Sequence, residues 1–215
     1  MKMLTPFWVV CALLMAVAPS RAADAKTLYE NKFETTAVDS LPDGFLALEG
    51  DFKVKEAAGH KVLELPGAPA ESYYGVLFGP ATNWGVSVSA RVFGTNKGRR
   101  LPSFGVGLNG GSGFRLRVSP SKQALELYHG EDLNTNAPFV WKSGAWTLLR
   151  LQVRASGGQS WKVEGKAWLE GTPEPADWMI SWDESTAPPN GKASVWGTPY
   201  SGTPIWYDDL KVTGL

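Results

Sequence analysis

From about residue 27 onward, apolar and polar positions alternate with a period of two, the mark of half-buried strands. In "WGVSVSARVFG", Val86, Val88, Ala90 and Val92 share one face; in "FGVGLNG", Phe104, Val106 and Leu108 alternate with glycine and asparagine. No stripe of helical period persists over three turns beyond the N-terminal segment. The clearest hairpin is "GFRLRVSPSKQALELYHGE", where Phe114, Leu116 and Val118 face Leu125 and Leu127 on the returning strand. A loop over Pro120 to Gln123 pairs Val118 with Leu125 and Leu116 with Leu127. On the other face Arg117 then opposes Glu126, and Arg115 opposes Tyr128. A second long pair, "WTLLRLQVR" and "QSWKVEGKAWLEG", turns around Gly157-Gly158. There Lys162, Glu164, Lys166 and Trp168 share a polar face with Arg150, Gln152 and Arg154.

About a dozen short strands of this kind, no helix of substance and no internal repeat predict one all-β domain. The 24 glycines and 15 prolines, spread between aromatic and β-branched runs, supply turns at the required rate. A two-sheet antiparallel sandwich of jelly-roll type over residues 27–213 is the economical architecture.

The first stretch reads differently. "MKMLTPFWVVCALLMAVAPSRAADA" has a basic start at Lys2, an apolar core from about Phe7 to Val17, then small residues. That is the pattern of a secretory signal peptide over residues 1–22, with cleavage possible as late as residue 25. The expected destination is the periplasm or the extracellular space. No later segment has the roughly 18 consecutive apolar residues that a membrane-spanning helix needs. Cys11, the one cysteine, falls inside the apolar core of the signal, so the mature chain is expected to have no disulfide and no thiolate metal site. Cleavage after Ala22 removes Lys2 and Arg21 from 21 basic residues, leaving 19 against 21 acidic ones. No basic run tracks phosphates, which argues against nucleic acid as a partner.

Several segments, taken in order, resemble the concanavalin A-like lectin/glucanase superfamily. They are "KFE", "LPDGF" with "EGDFKV", "VLEL", "WTLLRLQV", "VEGKAW", "EPADW", "NGKASVW" and the terminal "YDDLKV". Most similar are secreted bacterial jelly-roll domains described as laminin G-like, family 16-like or 3-keto-disaccharide hydrolase. The resemblance implies a concanavalin A-like sandwich with carbohydrate as its partner, bound on the concave sheet face. It also implies a place for a structural calcium ion on the convex side, held by Asp209 or Asp208, the Gly50 carbonyl and Glu34. The alternative for the two aspartates is that they cap turns or bond backbone amides where the first and last strands meet. Because adjacent strand residues point to opposite faces, Asp208 and Asp209 are not expected to act as a catalytic pair.

Three functions follow for the chain. One is an exported glycan-binding or cell-surface module that uses Trp168, Tyr128, Arg115 and Arg117; a tryptophan on a polar sheet face can stack on a pyranose ring. The Arg115–Arg117–Glu126–Tyr128 face also has a plainer reading, cross-strand ion pairing on a solvated surface. A second function is a glycoside hydrolase resembling the 3-keto-disaccharide group, with Glu126 as its acid or base. The glucanase strand pattern Glu-x-Asp-x-(x)-Glu is absent, and Pro173 and Pro175 interrupt "WLEGTPEPADW". The third is a structural or adhesive domain with no glycan. His60 and His129 are expected at solvated turns.

Overall fold

The computed structural model describes residues 26–57, 59–68 and 72–215; the signal segment lies outside them. Fifteen strands form two antiparallel sheets among the described residues. One sheet runs β13 (Ile180–Glu184), β12 (Ser160–Leu169), β11 (Thr147–Gly157), β6 (Val86–Phe93), β15 (Ile205–Gly214), β4 (His60–Leu65), β3 (Lys53–Ala57). Its eighth strand, β1 (Thr27–Asn31), pairs with the C-terminal half of β15. The other sheet runs β10 (Asp132–Pro138), β9 (Ala124–His129), β8 (Phe114–Ser119), β7 (Ser103–Leu108), β14 (Gly191–Thr198), β5 (Tyr74–Thr82), β2 (Leu46–Glu49).

Alternation puts one face of every long strand into the space between the sheets. Val86, Val88 and Val92 of β6 and Leu149, Leu151 and Val153 of β11 meet Phe104, Val106, Leu116 and Val118 of β7 and β8, all fully buried. Each such side chain contributes about 1.5–3 kcal/mol by leaving water. The β8–β9 register is the expected one at every position, including Arg117 opposite Glu126 and Arg115 opposite Tyr128. The β11–β12 hairpin also pairs as read, with Leu148 opposite Trp168. Residues Asp132–Pro138, not foreseen as a strand, form β10 at the sheet edge. That edge segment has only Leu133 and Ala137 as apolar residues, and Leu133 is exposed, so the apolar alternation by which a strand is recognised is weak there.

Tyr207 of β15 ties the sheets together. Its side chain is fully buried, and its hydroxyl donates across the core to the Trp196 carbonyl on β14 at 2.9 Å. Gly197 leaves the room for that hydroxyl. Removing the hydroxyl leaves a buried carbonyl short of a partner, a loss of about 1–2 kcal/mol. Tyr207→Phe should therefore lower the urea midpoint while leaving the denaturant slope unchanged. An unchanged midpoint would show that the bond contributes nothing net.

Candidate functional site on the seven-stranded sheet

The outer face of the seven-stranded sheet carries the densest polar cluster. β8 and β9 are joined by a single 3-10 turn, Pro120–Lys122, closed by Gln123 in the left-handed region (φ 50°). This tight reversal holds Arg115, Arg117 and Ser119 beside Ala124, Glu126 and Tyr128. Glu126 is only 1% exposed. Its Oε2 accepts from Arg117 Nη2 at 2.8 Å and Nε at 3.0 Å and from the Tyr128 hydroxyl at 3.2 Å; its Oε1 accepts from Lys122 Nζ at 2.8 Å. Burial pushes the Glu126 pKa up, but the hydrogen bonds and charges of Lys122 and Arg117 outweigh it and hold the carboxyl below its ordinary value. Arg117 also donates to Tyr128. The face is thus an ion-paired network, as one reading held, but its central carboxylate is buried rather than solvated.

Next to this network Trp196 of β14 lies flat on the sheet. A Cβ at Gly75 would come within 2.5 Å of its six-membered ring, and one at Gly107 within 3.1 Å of its Nε1, so glycine on both neighbouring strands admits the indole. Trp196 Nε1 donates to Ser194 Oγ at 2.8 Å. Tyr73, just before β5, stacks on the indole with centroids 5.3 Å apart and rings 13° from parallel. The Arg115 guanidinium stands 4.9 Å from the Trp196 centroid, and that of Arg117 4.4 Å from Tyr128. Burial drives the Tyr73 pKa up to about 12, with Arg117 and Arg115 opposing it. The Tyr73 hydroxyl has no hydrogen-bond partner among the described residues.

One step along the strands the face opens into a cleft of about 330 Å³. Its floor is a row of hydroxyls, Thr198 of β14 opposite Ser103 of β7, beside Ser119 of β8. Arg117, Ser121 and Lys122 form one wall; Arg99, Leu101, Pro102 and Tyr200 complete the lining. Among the described residues no carboxylate lines it. The cleft offers hydrogen-bond donors and acceptors around one aromatic side chain.

The four expected ligand-binding residues do not share a surface. Arg117 lines the cleft, whereas Arg115 and Tyr128 belong to the network behind it. Trp168 is on β12 and faces outward from the opposite sheet, a correction to the expected common face. Alternation had placed it correctly on the polar side of its own hairpin, but that hairpin joined the other sheet. Lys166 beside it is covered by the following loop, donating to the Pro175 carbonyl at 2.7 Å and pairing with Glu174 at 2.9 Å.

Asp208 and Asp209 depart from simple alternation. A bulge shifts the register of β15 between Asp208 and Lys211, with Asp209 in the left-handed region (φ 50°). Both carboxylates consequently reach Arg91, Asp208 at 2.6 Å and Asp209 at 3.3 Å, so the expectation of opposite faces is corrected. Asp208 also bonds the Asp209 amide at 2.7 Å. Burial raises the Asp208 pKa against these hydrogen bonds. Both aspartates of the expected calcium set are engaged by Arg91. Glu34 instead engages Lys61 and stands 3.9 Å from His60, and Gly50 sits against Tyr74, Leu65 and Phe52. Among the described residues no group of three or more His, Asp or Glu side chains could hold a metal ion. The Arg91 guanidinium compensates the aspartates. His60 is exposed at its hairpin turn, as expected. His129 is not a free turn residue: it lies 3.1 Å from Glu184 and its ring is 4.6 Å from that of Phe114.

Solved structures share this architecture. A carbohydrate-binding module, CBM66, from Bacillus subtilis matches with a TM-score of 0.54 at 10% identity, over 80% of this chain and 96% of that one. The Emp46p carbohydrate recognition domain, in a metal-free form, matches at 0.56 and 12% identity, over 86% and 94%. The chain has the concanavalin A-like jelly-roll fold. The same jelly roll matches part of a xylan beta-1,4-xylosidase from Bacillus halodurans C-125 at 0.56 and 14% identity, covering 92% of this chain but 41% of that one. No protein-family model and no curated protein matches the sequence.

Sequence reasoning missed Trp196, Tyr73, Tyr200 and the hydroxyl floor of the jelly roll's cleft. "NGKASVW" does place Trp196 on the face opposite Ala193 and Val195, so alternation could have marked it. The network behind the cleft has a pH consequence. The folded pKa of Glu126 is depressed, so its contribution to stability is present above the ordinary glutamate value of 4.5 and is lost as pH falls through that value and below. Glu126→Gln should cost about 3 kcal/mol at neutral pH, as for a broken buried ion pair, and flatten the acid limb of the stability curve. Chemical denaturation at several pH values checks both; an acid limb as steep as wild type would show that other carboxylates set it.

Proposed function

We propose that the chain is an exported glycan-binding module that seats a sugar in the cleft of the seven-stranded sheet. The carrying observation is the composition of that cleft, with Thr198, Ser103 and Ser119 below and Arg117, Lys122 and Tyr200 around. Sugars are recognised by hydrogen bonds to their hydroxyls and by an aromatic ring against their apolar face, and small-ligand sites combine such groups in a concavity. The fold shared with a carbohydrate-binding module and a carbohydrate recognition domain supports the reading. Export rests on the N-terminal signal pattern; among the described residues no helix is long and apolar enough to cross a membrane.

The hydrolase reading is weaker on chemistry. A retaining glycosidase places two carboxylates about 5–5.5 Å apart, one kept protonated by a raised pKa. Here Glu126 is enclosed by Arg117, Lys122 and Tyr128, its pKa is lowered, and no described carboxylate lines the cleft.

A glycan-array screen followed by calorimetry on the hits tests the module. Tyr200→Ala should weaken binding about tenfold, the loss of roughly 1.4 kcal/mol of aromatic contact. Trp168→Ala, on the opposite face, should leave it unchanged. The reverse result would move the site to the eight-stranded sheet, and no binding to any glycan would leave a structural or adhesive domain.

A further inference from the structure

We propose that the glycan taken by this cleft is acidic, a sugar chain carrying carboxylate or sulfate groups; the inference rests on the glycan-binding reading above. Three cations line the opening, Arg99, Arg117 and Lys122, and among the described residues no acid does. Among the described residues, the carboxylate bonded to the cleft's cations is Glu126, which is 1% exposed, with both its oxygens already engaged by Arg117, Lys122 and Tyr128. Its charge offsets one of the three cations, so the cleft presents a net positive field. That field is local, because the whole chain has a formal net charge of zero.

The cations also keep donors to spare. Arg99 is exposed and forms no ion pair with any described residue. Lys122 keeps 57% of its side chain exposed, and one of its three N–H groups is taken by Glu126. Arg117 gives Nε and Nη2 to the network, leaving Nη1 outside those bonds. A guanidinium matches a carboxylate or a sulfate through paired N–H donors, while the hydroxyl floor suits the ring hydroxyls of the same residue. A neutral sugar would leave this charge uncompensated on binding.

The test compares trigalacturonic acid, a sulfated galactan oligosaccharide and neutral cello- and xylo-oligosaccharides by calorimetry on the mature chain. At least one acidic ligand should bind about tenfold or more tightly than the neutral ones. Its affinity should fall when salt rises from about 0.1 M to about 1 M, which shortens the screening length from about 10 Å to about 3 Å. Arg99→Glu, at an exposed position that leaves the fold intact, should abolish the preference. Arg99→Lys should retain most of it. Which acidic ligand binds distinguishes carboxylate from sulfate. Equal, salt-independent binding of neutral sugars would overturn the acidic preference and leave the glycan module standing. Acidic binding indifferent to Arg99→Glu would overturn the assignment to this cleft. No binding of any ligand would sink both.

Discussion

The last strand has to satisfy backbone groups on both of its edges, and much of the sandwich is arranged around that constraint. β15 pairs with β6 along one side; along the other, β4 takes Ile205–Tyr207 and β1 takes the stretch from Leu210. The change of partner coincides with the bulge at Asp208 and Asp209. A bulge leaves polar groups out of the regular ladder, and here Arg91 gathers both carboxylates while the Asp208 side chain bonds the following amide. Trp146 lies under the same guanidinium at 4.3 Å, so the junction is held by charge and by stacking together. From this anchored strand Tyr207 reaches across the core to the backbone of Trp196. An inner strand of one sheet thereby bonds the backbone of the residue that paves the outer face of the other.

On that outer face the buried charge and the open cleft have different roles. An ionised carboxylate at 1% exposure is tolerable only with several donors, and Arg117, Lys122 and Tyr128 supply them. Glu126 is thus consumed by structure, holding Arg117 and Lys122 at the lip of the cleft. The Trp196 indole is likewise covered, by Tyr73 and by Arg115. The groups left facing outward are the hydroxyl row, Tyr200 and the unused donors of the cations. The cleft combines a sheet floor, which holds its hydroxyls at fixed spacing, with the loop and turn residues Arg99, Lys122 and Tyr200 around it.

The structural relatives show why the site rather than the fold has to decide function. The same sandwich appears as a whole carbohydrate-binding module and as a part of a xylosidase. A fold of this kind carries unrelated activities on its faces, and only the residues on a given face limit the chemistry. Among the described residues those that line the cleft are cations, hydroxyls and aromatics.

Much of this was legible in the sequence because strand alternation is a local rule. The period of two in "GFRLRVSPSKQALELYHGE" determined the inward and outward sets of β8 and β9, and the short turn determined their register, so Arg117 opposite Glu126 needed no tertiary information. The same rule put Trp168 on a polar face. It could not say which sheet that face belonged to, since sheet membership depends on pairing between strands far apart in the chain. Only the tertiary structure separated Trp168 from Arg117, brought Tyr73 over Trp196 and lined Ser103, Ser119 and Thr198 into one floor. It alone also turned two neighbouring aspartates onto one arginine, because a bulge breaks the alternation from which their faces were read. Local periodicity determined what each strand shows; long-range pairing decided what stands next to it.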